Sequence, residues 1–191
     1  MIIALTSKKG GVGKSTTAVY LAAVIASLQK PVTLVDSDPE QSAYKMYQAG
    51  LLPFEVTVAS SRTLKQVVNG LSGDVIIDTA PNDGEIIFKA AALADEVIVP
   101  IASTGYDLAR LTDTLSILAD VEEMRNVGIT RILLTRMQAR KNIAKEVIQA
   151  LDEREIPRFQ THIRYLTAYE NYSGPTFLDE YTALYNELVA A

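Results

Sequence analysis

Lys8-Lys9-Gly10-Gly11-Val12-Gly13-Lys14-Ser15-Thr16 follows the apolar run from Ile2 to Thr6 and leads straight into a helical stretch, Thr16 to Leu28. In that stretch Ala18, Leu21, Ala22, Ile25 and Leu28 recur at helical spacing. A glycine-rich turn between a strand and a helix suits phosphate. Its glycines let backbone N–H groups turn inward as an anion nest, the helix N-terminus adds partial positive charge, and Lys14 reaches the outer phosphates. Ser15 then supplies a hydroxyl to Mg2+. A merely structural turn has no reason to carry Gly-Lys-Ser in this register. Gly10, Gly11, Val12, Gly13, Lys14, Ser15 and Thr16 are therefore the expected phosphate contacts.

Outward from this loop, short β-branched runs recur at residues 2–6, 32–36, 54–58, 74–78, 96–101 and 132–135, with longer helical segments between them, such as Leu108 to Met124. Continuously apolar strands mark a parallel sheet buried on both faces, so the sequence predicts an α/β fold: a doubly wound, mostly parallel sheet with helices on both faces, as in P-loop NTPases. No linker, low-complexity tract or fixed-period repeat interrupts residues 1–191, which are expected to form a single P-loop domain. After His162 the pattern decays into a tyrosine-rich loop. An acidic terminal helix, Phe177 to Ala190, is expected to pack on the sheet through Leu178, Tyr181, Leu184, Tyr185 and Leu188.

Composition removes several chemistries. The chain has 191 residues, 48% of them hydrophobic and 21% charged, close to globular averages. With no cysteine and one histidine, His162, it offers no disulfide, thiolate zinc site, iron–sulfur cluster or cysteine nucleophile, and oxygen ligands must serve any metal. The first residues lack the features of a signal peptide and no apolar run is long enough to span a membrane, so a cytoplasmic location is expected. The net charge of −5 hides an asymmetry: Arg125 to Arg164 holds nine Lys/Arg against four acids, +5 in all, leaving −10 elsewhere. Such a stretch is either a polyanion-facing surface or the solvated face of helices in an acidic protein.

Two further motifs carry carboxylates. Val35-Asp36-Ser37-Asp38-Pro39-Glu40 ends the second run, and Val75-Ile76-Ile77-Asp78-Thr79-Ala80-Pro81 the fourth. Carboxylates at strand C-terminal ends face the crevice where α/β sheets bind ligands, and Asp78 fits the Walker B position that holds Mg2+ through water. Asp38-Pro39 is also a sequence that starts turns and caps helices.

The loop departs from GxxxxGK[ST] by carrying Lys8 at its first position and Lys9 at its second, and here it resembles the deviant Walker A ATPases of the ParA/MinD family, with their KGGxGK[ST][ST] hallmark. The resemblance implies ATP and Mg2+ as cofactors. It makes Lys9 the signature lysine that reaches the ATP of the partner subunit in a face-to-face homodimer. It assigns Asp38, in an element similar to D-x-D-P-Q with Glu40 replacing Gln, to positioning the attacking water, and places Asp36 near Mg2+. Lys9, Lys14 and Asp38 are thus the expected catalytic residues, and Ser15, Asp36 and Asp78 the expected metal residues. Ala92 to Pro100 and Leu133-Leu134-Thr135-Arg136 also resemble the family, which makes Thr135, Arg136 and Met137 candidates for base contacts. Tyr165, Tyr169 and Tyr172 could flank the base or a partner, or simply pack.

Within this family, the absence of cysteine excludes the nitrogenase iron protein branch. MinD-type proteins attach to membranes by a basic C-terminal helix, whereas no Lys or Arg follows Arg164 here. The short chain resembles the small plasmid-type ParA partition ATPases, which implies an ATP dimer on nonspecific DNA, slow hydrolysis stimulated by a ParB-like adaptor, and a nucleoid-associated cytoplasmic protein with no membrane partner. The expected DNA contacts are Arg136, Arg140, Lys141, Lys145, Arg154, Arg158 and Arg164. Two alternatives stay open: a ParA-like ATPase positioning another cargo, and a small ATP-dependent ligase or kinase resembling dethiobiotin synthetase, which would not need Lys9.

Overall fold

The computed structural model describes residues 1–102, 105–126, 128–137, 143–166, 175 and 178–190, with backbone alone at 105–110 and 143–144. Strands and helices alternate: β1 (Ile2–Leu5), α1 (Lys14–Ser27), β2 (Val32–Ser37), α2 (Ser42–Gln48), β3 (Glu55–Val58), α3 (Leu64–Asn69), β4 (Asp74–Thr79), α4 (Gly84–Leu93), β5 (Glu96–Ala102), α5 (Gly105–Arg125), β6 (Thr130–Met137), α6 (Ile143–Asp152), β7 (Arg158–Arg164) and α7 (Asp179–Val189). The strands form one sheet in the order β3-β2-β4-β1-β5-β6-β7, and every pairing is parallel.

Alternation along each strand sends successive side chains to opposite faces, and both faces are covered. Ile3, Leu5, Leu34 and Ile76 join the core beneath α1, α2 and α7. Ala4, Val35, Val75 and Ile77 join the core beneath α3, α4, α5 and α6. Helix α1 is buried nearly all round, from Thr17 to Ile25, which is why its sequence is almost wholly apolar or small. Because β1 lies between β4 and β5, the chain leaves β1 for one side of the sheet and crosses to the other after β4. The order of connections therefore reverses at β1, and such switch points open a crevice beyond the strand C-termini.

Two features differ from the sequence reading. A seventh strand, β7, runs along the edge beside β6, where no strand was expected. Its sequence Arg-Phe-Gln-Thr-His-Ile-Arg buries only Phe159 and Ile163, so it lacks the continuous apolar signal of the interior strands. The terminal helix does bury Tyr181, Leu184, Tyr185 and Leu188. It lies against α1 as well as the sheet, with Tyr20 and Tyr181 stacked at 5.0 Å between ring centroids. Phe177, expected to begin that helix, lies outside the described residues.

Candidate functional site

The loop from Lys8 to Gly13 leaves the C-terminal end of β1 and turns into α1 through two glycines of positive φ, Gly11 at 74° and Gly13 at 87°. A side chain at Gly11 would meet nothing within 4 Å, so its backbone conformation, not space, calls for glycine. No side chain caps the N-terminus of α1, which leaves its first-turn N–H groups open to an anion. The loop is anchored from outside. Lys8 N–H donates to Thr114 Oγ1 at 3.1 Å, Lys9 N–H to Ser7 Oγ at 3.2 Å, and Asn82 N–H to the Lys8 carbonyl at 3.2 Å.

Lys14 is buried, and its Nζ donates to the Lys9 carbonyl at 3.1 Å. Burial pulls its pKa below the ordinary lysine value, against the opposing charges of Asp78 and Asp38. Beneath it, at the end of β4, Asp78 is buried and hydrogen-bonded to the Ser15 side chain. Its Oδ1 has no hydrogen-bond partner, and burial pushes its carboxyl up to about 7. A carboxylate oxygen so placed, beside a serine hydroxyl, suits a hard cation. Among the described residues no three protein ligands cluster for a metal. Mg2+ needs none, because it is commonly held by one or two carboxylates with phosphate oxygens and waters.

Asp36 and Asp38 are held differently. The Asp36 carboxylate accepts from Asp38 N–H and Tyr44 N–H, both at 3.1 Å, so it braces the β2–α2 turn while facing the same side of the sheet as Asp78. Its pKa is raised, mainly by burial. Asp38 accepts from Glu40 N–H at 2.9 Å, the turn bond that Asp-Pro favours. It also lines one crevice with Gly10, Gly11, Gly13, Lys14, Ser15, Thr16 and Arg136. The turn and the crevice are thus two faces of one residue.

The three residues at the end of β6 separate. Thr135 is buried, its hydroxyl shared between the carbonyls of Val12 at 2.8 Å and Ile101 at 3.1 Å. It therefore fixes the phosphate loop against the sheet, and it lines a cavity together with Arg136. Arg136, at φ 53°, is exposed and lines both the crevice and an adjoining cavity with Thr16, Thr17, Ile163, Tyr165 and Leu166. Met137 packs instead with the core beneath α3 to α6. Ile163 and Leu166 escaped sequence reasoning because they follow from the position of β7.

Four residues of the basic stretch are engaged within the chain. Arg125 donates to the carbonyls of Ala91 and Ala94 at the end of α4. Arg131 pairs with Glu96 and stacks over Phe159, Arg158 makes a two-point pair with Asp152 at 2.8 and 3.1 Å, and Arg164 pairs with Glu180. Lys145 and Arg154 are exposed. Arg140, Lys141, Tyr169 and Tyr172 lie outside the described residues.

Comparison with known proteins agrees with this geometry. The profile of the CobQ/CobB/MinD/ParA nucleotide binding domain matches residues 3–173. The chain belongs to the CobQ/CobB/MinD/ParA family. Within this family it is 34% identical over 176 residues to maintenance of carboxysome distribution protein A of Gloeobacter kilaueensis, covering 88% of this chain and 79% of that protein. It is 31% identical over 181 residues to the chromosome-partitioning ATPase Soj of Thermus thermophilus, covering 76% of this chain and 73% of the relative. Among solved structures, cobyrinic acid a,c-diamide synthase of Mycobacterium smegmatis with bound ADP and magnesium superposes with a TM-score of 0.78 at 20% identity, covering 98% of this chain and 93% of the other. No described helix of this family member is long and apolar enough to cross a membrane.

Proposed function

We propose that this chain is a ParA-type positioning ATPase: it binds Mg2+ and ATP, closes on them as a face-to-face homodimer in the cytoplasm, and hydrolyses ATP slowly. The observation that carries the reading is one loop bearing two lysines, with buried Lys14 near the unpaired Asp78 oxygen and Lys9 half-buried on the same loop. In this reading the α1 N-terminus and Lys14 bind the phosphates, Lys14 Nζ leaving the Lys9 carbonyl for a phosphate oxygen. Ser15 and Asp78 would hold Mg2+, which would neutralise phosphate charge when bound. Asp36 braces the turn that carries Asp38, and Asp38 orients a water for in-line attack. Lys9 completes the partner's site, so the lone subunit lacks part of its charge stabilisation and turns over slowly.

The ATP dimer is proposed to bind DNA without sequence preference and to be stimulated by a ParB-like adaptor. The similarity to a partition ATPase supports this reading, and the similarity to a carboxysome distribution protein supports a second, in which the same cycle positions another cargo. A ligase activating a small molecule with ATP, on the fold shared with the diamide synthase, is the contrasting case. Calorimetry and DNA binding separate them. Wild type should bind ATP in the presence of Mg2+, Lys14→Ala should not, and DNA should be held with a nonhydrolysable ATP analogue but not with ADP or without nucleotide. Equal DNA affinity in all three states, or none in any at low salt, leaves the ligase as the better reading.

A further inference from the structure

Lys8 is tied at both its N–H and its carbonyl by groups far away in sequence. Its N–H donates to Thr114 Oγ1 on α5, 106 residues on, and its carbonyl accepts from Asn82, just beyond the Asp78 strand. Asn82 itself holds a left-handed backbone, φ 60°. Thr114 is 1% exposed, a buried hydroxyl in the middle of a long helix whose neighbours on the same face, Leu111, Leu118 and Val121, are core residues. A valine would fill the same volume, so packing alone gives no reason for the hydroxyl. Its partner is the first residue of the phosphate loop.

We propose that Thr114 is a positioning residue for nucleotide binding, holding the first turn of the phosphate loop so that its remaining amides face the phosphates. The loop must sort its N–H groups into two sets. Those of Lys8 and Lys9 are turned away from the crevice and accepted by Thr114 and Ser7, while those at the start of α1 stay open. The sorting matters because the Lys9 carbonyl, one residue on, holds Lys14 Nζ. Without Thr114 Oγ1 a part-buried donor loses its protein acceptor, and rotating the Ser7–Lys8 peptide to find another shifts the backbone that leads to the Lys9 carbonyl and so to Lys14. The contact also ties α5 to the loop and, through Lys8 and Asn82, to the segment after Asp78.

This inference rests on the nucleotide-binding reading, and the test separates the two. Mg2+-dependent ATP affinity is measured by calorimetry on wild type, Thr114→Val and Thr114→Ser, with the thermal midpoint of each nucleotide-free chain. The expected result is a roughly ten-fold loss of affinity in Thr114→Val, the scale of one unpaired part-buried donor. Thr114→Ser, which keeps the hydroxyl, should remain within about three-fold of wild type. If wild type itself binds no ATP, the functional reading fails. If wild type binds and Thr114→Val binds equally well, or Thr114→Ser is as weak as Thr114→Val, the positioning role alone is overturned. Amide exchange on the wild-type chain keeps the question open to test should Thr114→Val fail to fold. Lys8 N–H should be protected well beyond Gly11 N–H, and equal exchange of the two overturns the proposal.

Discussion

Asp78 concentrates the chemistry of the site in one carboxyl. Burial raises its pKa to about 7, against 3.8 for an exposed aspartate. Between those values the folded chain holds a proton that the unfolded chain has released, so the stability of the nucleotide-free protein should rise as pH falls from about 7 towards 4. Above 7 the carboxylate is charged while buried away from water, a cost that the nearby Lys14 offsets only in part. Asp78→Asn removes this dependence and should stabilise the nucleotide-free chain at pH 7.5 by roughly 2–4 kcal/mol, while abolishing Mg2+-dependent nucleotide binding. Urea unfolding of the two chains at pH 5 and pH 7.5 isolates the contribution, and identical pH slopes contradict it. A residue that costs stability and gains it back from its ligand is what a functional site looks like in thermodynamic terms.

At the scale of elements, β7 owes its place to α7 as much as to β6. Glu187 accepts from two successive edge amides, Gln160 at 2.7 Å and Thr161 at 3.0 Å, and Glu180 accepts from Arg164 N–H at 3.0 Å. Register shifts between β6 and β7 let neighbouring amides point the same way. Carboxylates thus cover an edge that would otherwise invite pairing with another strand. Glu187→Ala should cost about 1–3 kcal/mol in urea unfolding, and Glu187→Gln less, since an amide oxygen still accepts. A loss below about 0.3 kcal/mol in Glu187→Ala means the amides are equally well served by water. This arrangement also explains what the sequence conceals. The interior strands are legible because both of their faces are apolar, whereas β7 is held by polar side chains from a helix that follows it in the chain. The phosphate loop is legible residue by residue for the same kind of reason: its glycines, Lys14 and Ser15 act locally. Thr135 and Thr114 are not, because a threonine that grips a distant carbonyl or amide has no local pattern.

For the whole molecule, charge is the deciding quantity. Two arginines of the +5 stretch pair with acids outside it, Arg131 with Glu96 and Arg164 with Glu180, while Arg158 pairs with Asp152 inside it. One subunit presents its basic residues on a net acidic body, and DNA binding should need two subunits side by side. A dimer making about four to eight phosphate contacts should show a log–log salt slope of about −4 to −7. Reversing the charge of exposed Lys145 or Arg154 should weaken all DNA sequences alike, because phosphate contacts carry no base information. A filter or anisotropy titration across salt concentrations measures both, and a sequence-selective loss contradicts the phosphate-contact account.

Everything above the single subunit depends on Lys9 acting across a dimer. Static light scattering of wild type, Lys9→Ala and Asp38→Ala, each saturated with Mg2+ and a nonhydrolysable ATP analogue at micromolar protein, addresses this most directly. Wild type and Asp38→Ala should show twice the monomer mass, and Lys9→Ala should stay a monomer that still binds the analogue. Wild type remaining monomeric at saturation, or Lys9→Ala forming the same dimer, would contradict it.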